Sequence, residues 1–334
     1  MRIAGEWRRG TYGERLKQGT GDCARADAAA GTRPLAWTTI EAVRLKTFLQ
    51  LLALSALWGA SFPMLRVASP LLGPSVLSML RLAIATLTLA LIMRAAGQRW
   101  PWEHWRELVM LSVLAVAGPF FLFSWAALRL PAGYVALLNS TSVVFGVLVS
   151  TWLKEDRLTQ GKVLGCVFGL LGVGMIVRLG PVQPTAEVLL GTAAALLGAV
   201  CFGFSVPLMK RTTRRMEPLE IAGPLHAAAL LFVLPGGLWN LPQARLSVVT
   251  LLIVLVLGVL TSGVAFWMHL RILRHITPVA SMSPMFFIPV FGVTWGHVLL
   301  GEQVSSGIYL GGALVLLAAA LVTGFNPLRR RPAP

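Results

Sequence analysis

The second half of this sequence is a degraded copy of the first. Displaced by 144 positions, Gly59, Ser61 and Pro63 fall on Gly203, Ser205 and Pro207, while Arg66 and Pro74 fall on Lys210 and Pro218. Displaced by 147, Pro131, Leu153 and Glu155 fall on Pro278, Leu300 and Glu302; displaced by 146, Gly161, Leu164 and Gly165 fall on Gly307, Leu310 and Gly311. The apolar runs in each copy are roughly 20 residues long, enough to cross a bilayer as a helix, and each copy holds an odd number of them. A unit with an odd number of crossings, repeated once, enters the membrane from opposite sides in its two copies. That geometry is an inverted repeat, and its commonest use is to let one binding site face the two sides alternately.

Composition agrees with lipid as the solvent for most of the chain. Only 13% of its 334 residues are charged and 56% are hydrophobic, against roughly 25% charged in soluble domains. The net charge of +16 invites a nucleic-acid reading, but phosphate-binding bases cluster on one folded surface. Here they are scattered through short loops between apolar runs, so no nucleic-acid partner is expected. Cys23, Cys166 and Cys201 have neither metal-ligand nor redox spacing and read as small apolar fillers. No metal or cofactor is expected, and there is no G-x-x-x-x-G-K-[ST] phosphate loop to imply ATP. An integral-membrane enzyme would need a nucleophile, base or metal set at depth. The sequence offers no H-E-x-x-H, no paired intramembrane aspartates and no Ser/His/Asp set, so the chain is read as not an enzyme.

Residues 1–46 are polar, Gly-rich and basic, with no apolar stretch after the early arginines, and read as a disordered cytoplasmic tail rather than a cleaved signal. Ten spans follow, at about 47–67, 74–96, 107–128, 131–153, 160–178, 187–208, 218–239, 247–269, 276–299 and 303–324. They divide into a five-helix repeat over 47–180 and a second over 187–324, with a short basic tail at 325–334. Pro131, Pro218 and Pro278 stand near span starts, where a missing N–H is harmless. If the N-terminus is cytoplasmic, each outside loop holds one basic residue, Arg66, Arg129, Arg178 or Arg245. Every other Lys and Arg falls inside except Arg81, which lies within the second span. This asymmetry orients a multi-pass protein of the inner, or plasma, membrane with both ends inside. The fold class read is therefore all-α integral membrane, ten helices in two inverted repeats, with a homodimer left open as its assembly.

Several local patterns carry a family resemblance. The first span contains Trp58-Gly59-Ala60-Ser61-Phe62-Pro63, and the second contains Arg81-Leu82-Ala83. Toward the end of the second half, Pro289-Val290-Phe291-Gly292 leads through Trp295-Gly296 to Leu300-Gly301-Glu302 and then Gly311-Gly312. In these features residues 47–324 resemble the drug/metabolite transporter superfamily, EamA type. The first copy departs from the pattern, with Ser142 where Pro is expected and Lys154-Glu155 where Gly-Glu is expected. The resemblance implies a secondary transporter, efflux as its direction, and an amino acid or another small metabolite as its cargo.

Polar residues at bilayer depth are costly, so they become functional candidates. No carboxylate lies at a span centre, which argues against an embedded Asp/Glu proton relay. Arg81, about two turns into its span, is placed to clamp a substrate carboxylate or phosphate; the alternatives are outward snorkelling or a bond to a broken-helix carbonyl. His226 lies near the equivalent depth in the second half and is a candidate for substrate binding or for proton transfer, or is bonded to a neighbouring helix. His269 and His297 read as interfacial. Trp58 and Ser61 with Pro63, and Ser205 with Pro207, suggest interrupted helices at matched places, the best sequence pointer to a transporter site. Helix packing is the plainer account of the same Gly and Pro residues. Asn139-Ser140-Thr141 is a polar run within span 4, readable as cavity lining or as interhelical glue, and Ser283 is a further lining candidate. Glu155 and Glu302 sit at matched span ends and read as a gate or as helix caps. Pro63 and Pro207 join them as candidate gating positions. Spans 1, 2, 4, 6, 7 and 9 are expected to line a central cavity. The rival function is a flippase for a lipid or lipid-linked carrier on the same fold; a non-transporting scaffold would need no polar cavity.

Overall fold

A computed structural model of the chain describes residues 45–130, 132–177, 185–300 and 307–323. Every regular element among the described residues is a helix. Both expected tails lie outside these residues, apart from Leu45 and Lys46. So do Pro131, Arg178 and the candidate Glu302.

The first element, α1, runs Leu45–Ala95 and is interrupted at Gly73. Pro74 disfavours the helical conformation in the residue before it, and Gly73 responds with φ 74° and ψ 155°. A residue with a Cβ is strained there. The interruption divides α1 into arms over 45–72 and 74–95. It is followed by α2 (Trp102–Ala126), α3 (Ala132–Trp152), α4 (Gln160–Val177), α5 (Ala186–Thr212), α6 (Pro218–Gln243), α7 (Val248–Leu273), α8 (Pro278–Leu299) and α9 (Gly307–Thr323). Among the described residues, seven helices are long and apolar enough to cross a membrane: α1, α2, α3, α5, α6, α7 and α8. Within α4 and α9 the apolar stretches are shorter.

Helix starts are fixed locally. Glu217 and Glu220 form a capping box around Pro218 at the start of α6, and Ser247 and Thr250 form another at α7. Thr185 and Thr277 accept from the Val188 and Ala280 amides at α5 and α8. Such bonds satisfy amides that have no partner inside the helix. Leu87, Leu91, Leu148, Leu231 and Val249 are all more than half exposed. An apolar surface of that extent on the outer faces of helices suits lipid contact rather than water.

The repeat is visible in packing at three places. Gly59 of α1 lies so close to α8 that an added Cβ would come 2.6 Å from Phe291 Cβ and 3.1 Å from the Ile288 carbonyl oxygen. Gly203 of α5 lies against α3 in the same way, 2.7 Å from both Phe145 Cβ and the Ser142 carbonyl oxygen. Each crossing joins one repeat to the other. Second, α2 and α7 contain π-helical segments, Val113–Ala117 and Leu257–Val264, whose first residues are 144 positions apart, the displacement of the sequence repeat. Third, Arg66 Nη1 donates to the Ala127 carbonyl at the end of α2 at 3.2 Å. Its counterpart Lys210 donates to the Leu273 and Arg274 carbonyls at the end of α7, at 2.8 and 3.0 Å. Read from sequence as loop charges, Arg66 and Lys210 sit within α1 and α5 and cap the free carbonyl ends of neighbouring helices, where a cation is favoured.

The elements that end each repeat, α4 and α9, pack antiparallel through small residues. Gly165 faces Ala318 and Val322, and Gly172 faces Gly311 and Leu314. Close backbone approach of this kind is how helices associate in lipid.

Candidate functional site

A cavity of about 70 Å³ lies among both arms of α1 and α2, α3, α5, α7 and α8. Its polar lining is Ser61, Arg81 and Asn139; the rest is apolar and mainly aromatic. Elements of both repeats contribute, but α6 does not, whereas sequence reading had included that span and left out α2 and α7.

Arg81 is the centre of the arrangement. It is 5% exposed. Its Nε donates to Ser262 Oγ at 2.6 Å and its Nη2 to Thr261 Oγ1 at 3.2 Å, and the guanidinium carbon lies 3.9 Å from the Phe120 ring centre. Thr261 spends its own hydroxyl proton on the Leu257 carbonyl at 2.8 Å, leaving oxygen lone pairs for Arg81. The Thr261 carbonyl accepts from Trp58 Nε1 at 2.9 Å. Both hydroxyls belong to the π-helical segment of α7, a distortion often found where a helix serves a site. None of the ion pairs among the described residues includes Arg81. Its Nη1 makes no bond to them either. A buried cation without a counter-ion is costly, and two hydroxyls with one ring face compensate only part of that cost.

The other candidates divide by position. Trp58, Ser61 and Asn139 share the cavity with Arg81. Ser61 Oγ has no hydrogen-bond partner, and Asn139 Nδ2 approaches Met285 Sδ at 3.5 Å. Ser140 and Thr141 turn back to the Leu137 and Leu138 carbonyls, each at 2.6 Å, at the point where α3 is interrupted. Ser205 likewise bonds the Phe202 carbonyl of its own helix at 2.8 Å. Ser283 is buried without a partner for its hydroxyl, at the interruption of α8. His226 is fully buried one layer behind the cavity. Its Nδ1 lies 2.8 Å from the Ala222 carbonyl, and its ring centre is 4.8 Å from that of Phe266 and 6.5 Å from that of Phe120. His269, read as interfacial, is buried in the protein beside Trp58, 5.3 Å between ring centres. The helix carrying it continues to Leu273. Pro63 and Pro207 both lie inside helices.

Sequence reading found Trp58 but missed Thr261, Ser262 and the phenylalanines Phe120, Phe123, Phe202 and Phe266 of the wall. The pair Thr261-Ser262 in the middle of an apolar span was the available signal, of the same kind as the Asn139 run.

Glu155 ties the end of α3 to the end of α5. Its side chain, 4% exposed, accepts from Arg211 Nε at 2.8 Å and from Arg214 Nη2 at 2.6 Å. Arg211 also donates to the Leu153 carbonyl at 2.6 Å. Nearby, Thr212 bonds Glu107, and Glu217 pairs with Arg274. The hydrogen bond from Arg274 holds the Glu217 carboxyl below the usual carboxylate range. That depressed value keeps the pair intact at neutral pH and loses it only as pH falls through the lowered pKa. Glu155→Gln is expected to loosen this end by about 1–2 kcal/mol, since both arginines are partly solvated. Amide hydrogen exchange over Leu208–Thr212 should then accelerate roughly 5–30-fold; unchanged exchange would show that the pair holds nothing closed.

Comparison with known proteins places this architecture. The profile of the EamA-like transporter family matches the chain twice, over residues 45–178 and 189–324. The chain is 27% identical over 286 residues to a probable terminal-alkyne amino-acid exporter of Streptantibioticus cattleyicolor, covering 83% of this chain and 93% of that protein. It is 22% identical to the uncharacterized transporter YoaV of Bacillus subtilis, over 86% of this chain and 99% of that one. With a riboflavin transporter of Brucella anthropi the identity is 25%, over 70% of this chain and 81% of the other. A solved crystal structure, 20% identical, aligns with a TM-score of 0.69 over 84% of this chain and 96% of its own.

Proposed function

This chain belongs to the EamA-like transporter family, and we propose that it is an alternating-access exporter of a small amphipathic metabolite bearing an anionic group, an amino acid or a related compound. The observation that carries the reading is Arg81, a cation buried at the cavity with hydroxyl partners and, among the described residues, no carboxylate. A guanidinium so placed suits a carboxylate, which it can bind through charge-assisted bonds. Efflux and the amino-acid class rest on similarity to the Streptantibioticus protein, whose name gives it that cargo.

The membrane arrangement we infer has ten crossings, each arm of α1 counting as one and α4 and α9 crossing despite their shorter apolar stretches. Two inverted repeats, 47–180 and 187–324, then place both termini in the cytoplasm of a cell whose inner or plasma membrane holds the protein. The basic ends of α5 and α7 face inward in this arrangement, and Glu155 with Arg211 and Arg214 closes that side. Trp58, Ser61, Arg81 and Asn139 contact the cargo, and His226 supports the wall behind it. The helix interruptions at Thr141 and Ser283 let α3 and α8 flex about Pro63 and Pro207 of the neighbouring helices.

Counterflow in proteoliposomes tests this. Protein loaded with unlabelled pools of amino acids and their acidic derivatives should accumulate trace label of a matching compound without any pH gradient. No accumulation from any pool, with folded protein, would overturn the carrier reading and favour lipid cargo.

A further inference from the structure

Among the described residues the cavity offers a ligand one positive group and no negative one. Arg81 is the one charged residue among the described residues of its lining, beside Ser61 and Asn139 as the other polar contributors. The described carboxylates lie elsewhere, and all but Glu103 are engaged. Among the described residues, Glu155, Asp156, Glu187 and Glu217 pair with Arg211 and Arg214, Lys162, Arg129 and Arg274 respectively. Glu107 binds Thr212 and faces Arg215, Glu220 bonds the Glu217 amide, and Glu103 lies on the surface before the apolar body of α2. An α-ammonium group entering beside Arg81 would therefore meet a like charge in a low-dielectric space and no counter-charge. Aromatic faces can hold a cation, but the Phe120 face already carries Arg81, and a second cation against any other ring of this one cavity would still face Arg81 at low dielectric.

The remaining wall is built of Trp58, Phe62, Phe123, Phe202 and Phe266 beside Phe120, with Trp58 edge-on to Phe202 at 6.4 Å and Phe62 edge-on to Phe123 at 6.3 Å. Edge-to-face sets of this kind accept a further ring or an apolar chain.

Resting on the carrier reading above, we infer that the cargo is a monoanion with an aromatic or apolar body: within the amino-acid class, a form whose amino group is absent or acylated, in preference to the free zwitterion. Arg81 Nη1 takes the carboxylate, Asn139 and Ser61 supply neutral hydrogen bonds, and the rings take the body.

A charge series on one body tests this directly. Labelled N-acetyl-L-phenylalanine is bound to the full chain in nanodiscs and displaced by unlabelled 3-phenylpropanoate, N-acetyl-L-phenylalanine, L-phenylalanine and L-phenylalanine methyl ester. The two monoanions are expected to displace at concentrations at least ~10-fold lower than the zwitterion, and the cationic ester to displace least. L-Phenylalanine within about 3-fold of its acetylated form would overturn the inference. If both were then lost in Arg81→Gln, the carrier site would stand and only its charge preference would fall. Absence of label binding to the unaltered chain, or binding unaffected by Arg81→Gln, would overturn the inference together with the assignment of the cargo site to Arg81. The series on the unaltered chain keeps the test decisive even if the variant fails to fold.

Discussion

Replacing Arg81 with Ala is expected to lower counterflow at least ~100-fold, the equivalent of about 3 kcal/mol, in line with the loss of one partner from a buried charge-assisted pair. Arg81→Lys keeps the charge but loses the fork that reaches Ser262 and Thr261 together, and should retain roughly a tenth of the activity. The same side chain also braces α1 against α7, so a loss of transport could arise from a loosened scaffold. Ser262→Ala separates the two causes. It removes the partner of Nε and leaves the guanidinium in place, at about 1–2 kcal/mol of stability. Counterflow should stay within ~10-fold of the unaltered protein while its thermal stability in detergent falls. If Arg81→Ala transports within a few-fold of the original, Arg81 is a strut and the anion-site reading fails.

Arg81 was legible in the sequence because an arginine within an apolar span is conspicuous. Its partners were not. Thr261 and Ser262 lie about 180 positions away, and which hydroxyls of an apolar helix face a given arginine depends on helix phase and on the π-helical segment, neither of which is written in composition. The repeat was legible because Gly, Pro and charged residues at close crossings and caps tolerate little change, and the same residues do the same work in both copies: Gly59 with Gly203, and Arg66 with Lys210. The run Asn139-Ser140-Thr141 shows the limit. Three polar neighbours look alike in sequence, but the interruption of α3 turns two of them back onto their own helix and leaves Asn139 to the cavity. The burial of His269 against Trp58 was not legible for a related reason, since it depends on which face of the helix carries it.

The second large effect is expected at the two inter-repeat crossings. Ala at Gly203 would set a Cβ 2.7 Å from the Ser142 carbonyl oxygen, and Ala at Gly59 would set one 2.6 Å from Phe291 Cβ. Both are below any real contact distance, and the obstructing atoms include backbone, so the helices themselves must separate. Overpacking of this kind costs about 1–3 kcal/mol per site. The single substitutions should lower thermal stability in detergent by similar amounts, because each crossing repeats the other's contacts, and the pair should be roughly additive, because the two crossings involve separate helix pairs. Gly174→Ala and Gly312→Ala provide the contrast. Neither meets any atom within 4 Å, and replacing a helical Gly by Ala in open space is favourable by roughly 0.5–1 kcal/mol. Counterflow decides what the crossings do during transport. If α1 rides on α8, and α5 on α3, as fixed seams in every state, the Ala variants lose activity only in proportion to folded protein. If the seams open and reclose in each cycle, the enlarged contact changes the balance of states, and activity per folded molecule falls as well. Normal stability in both Ala variants would mean that the helices do not meet as closely as this packing requires, and would remove the crossings as the basis for the two-repeat frame.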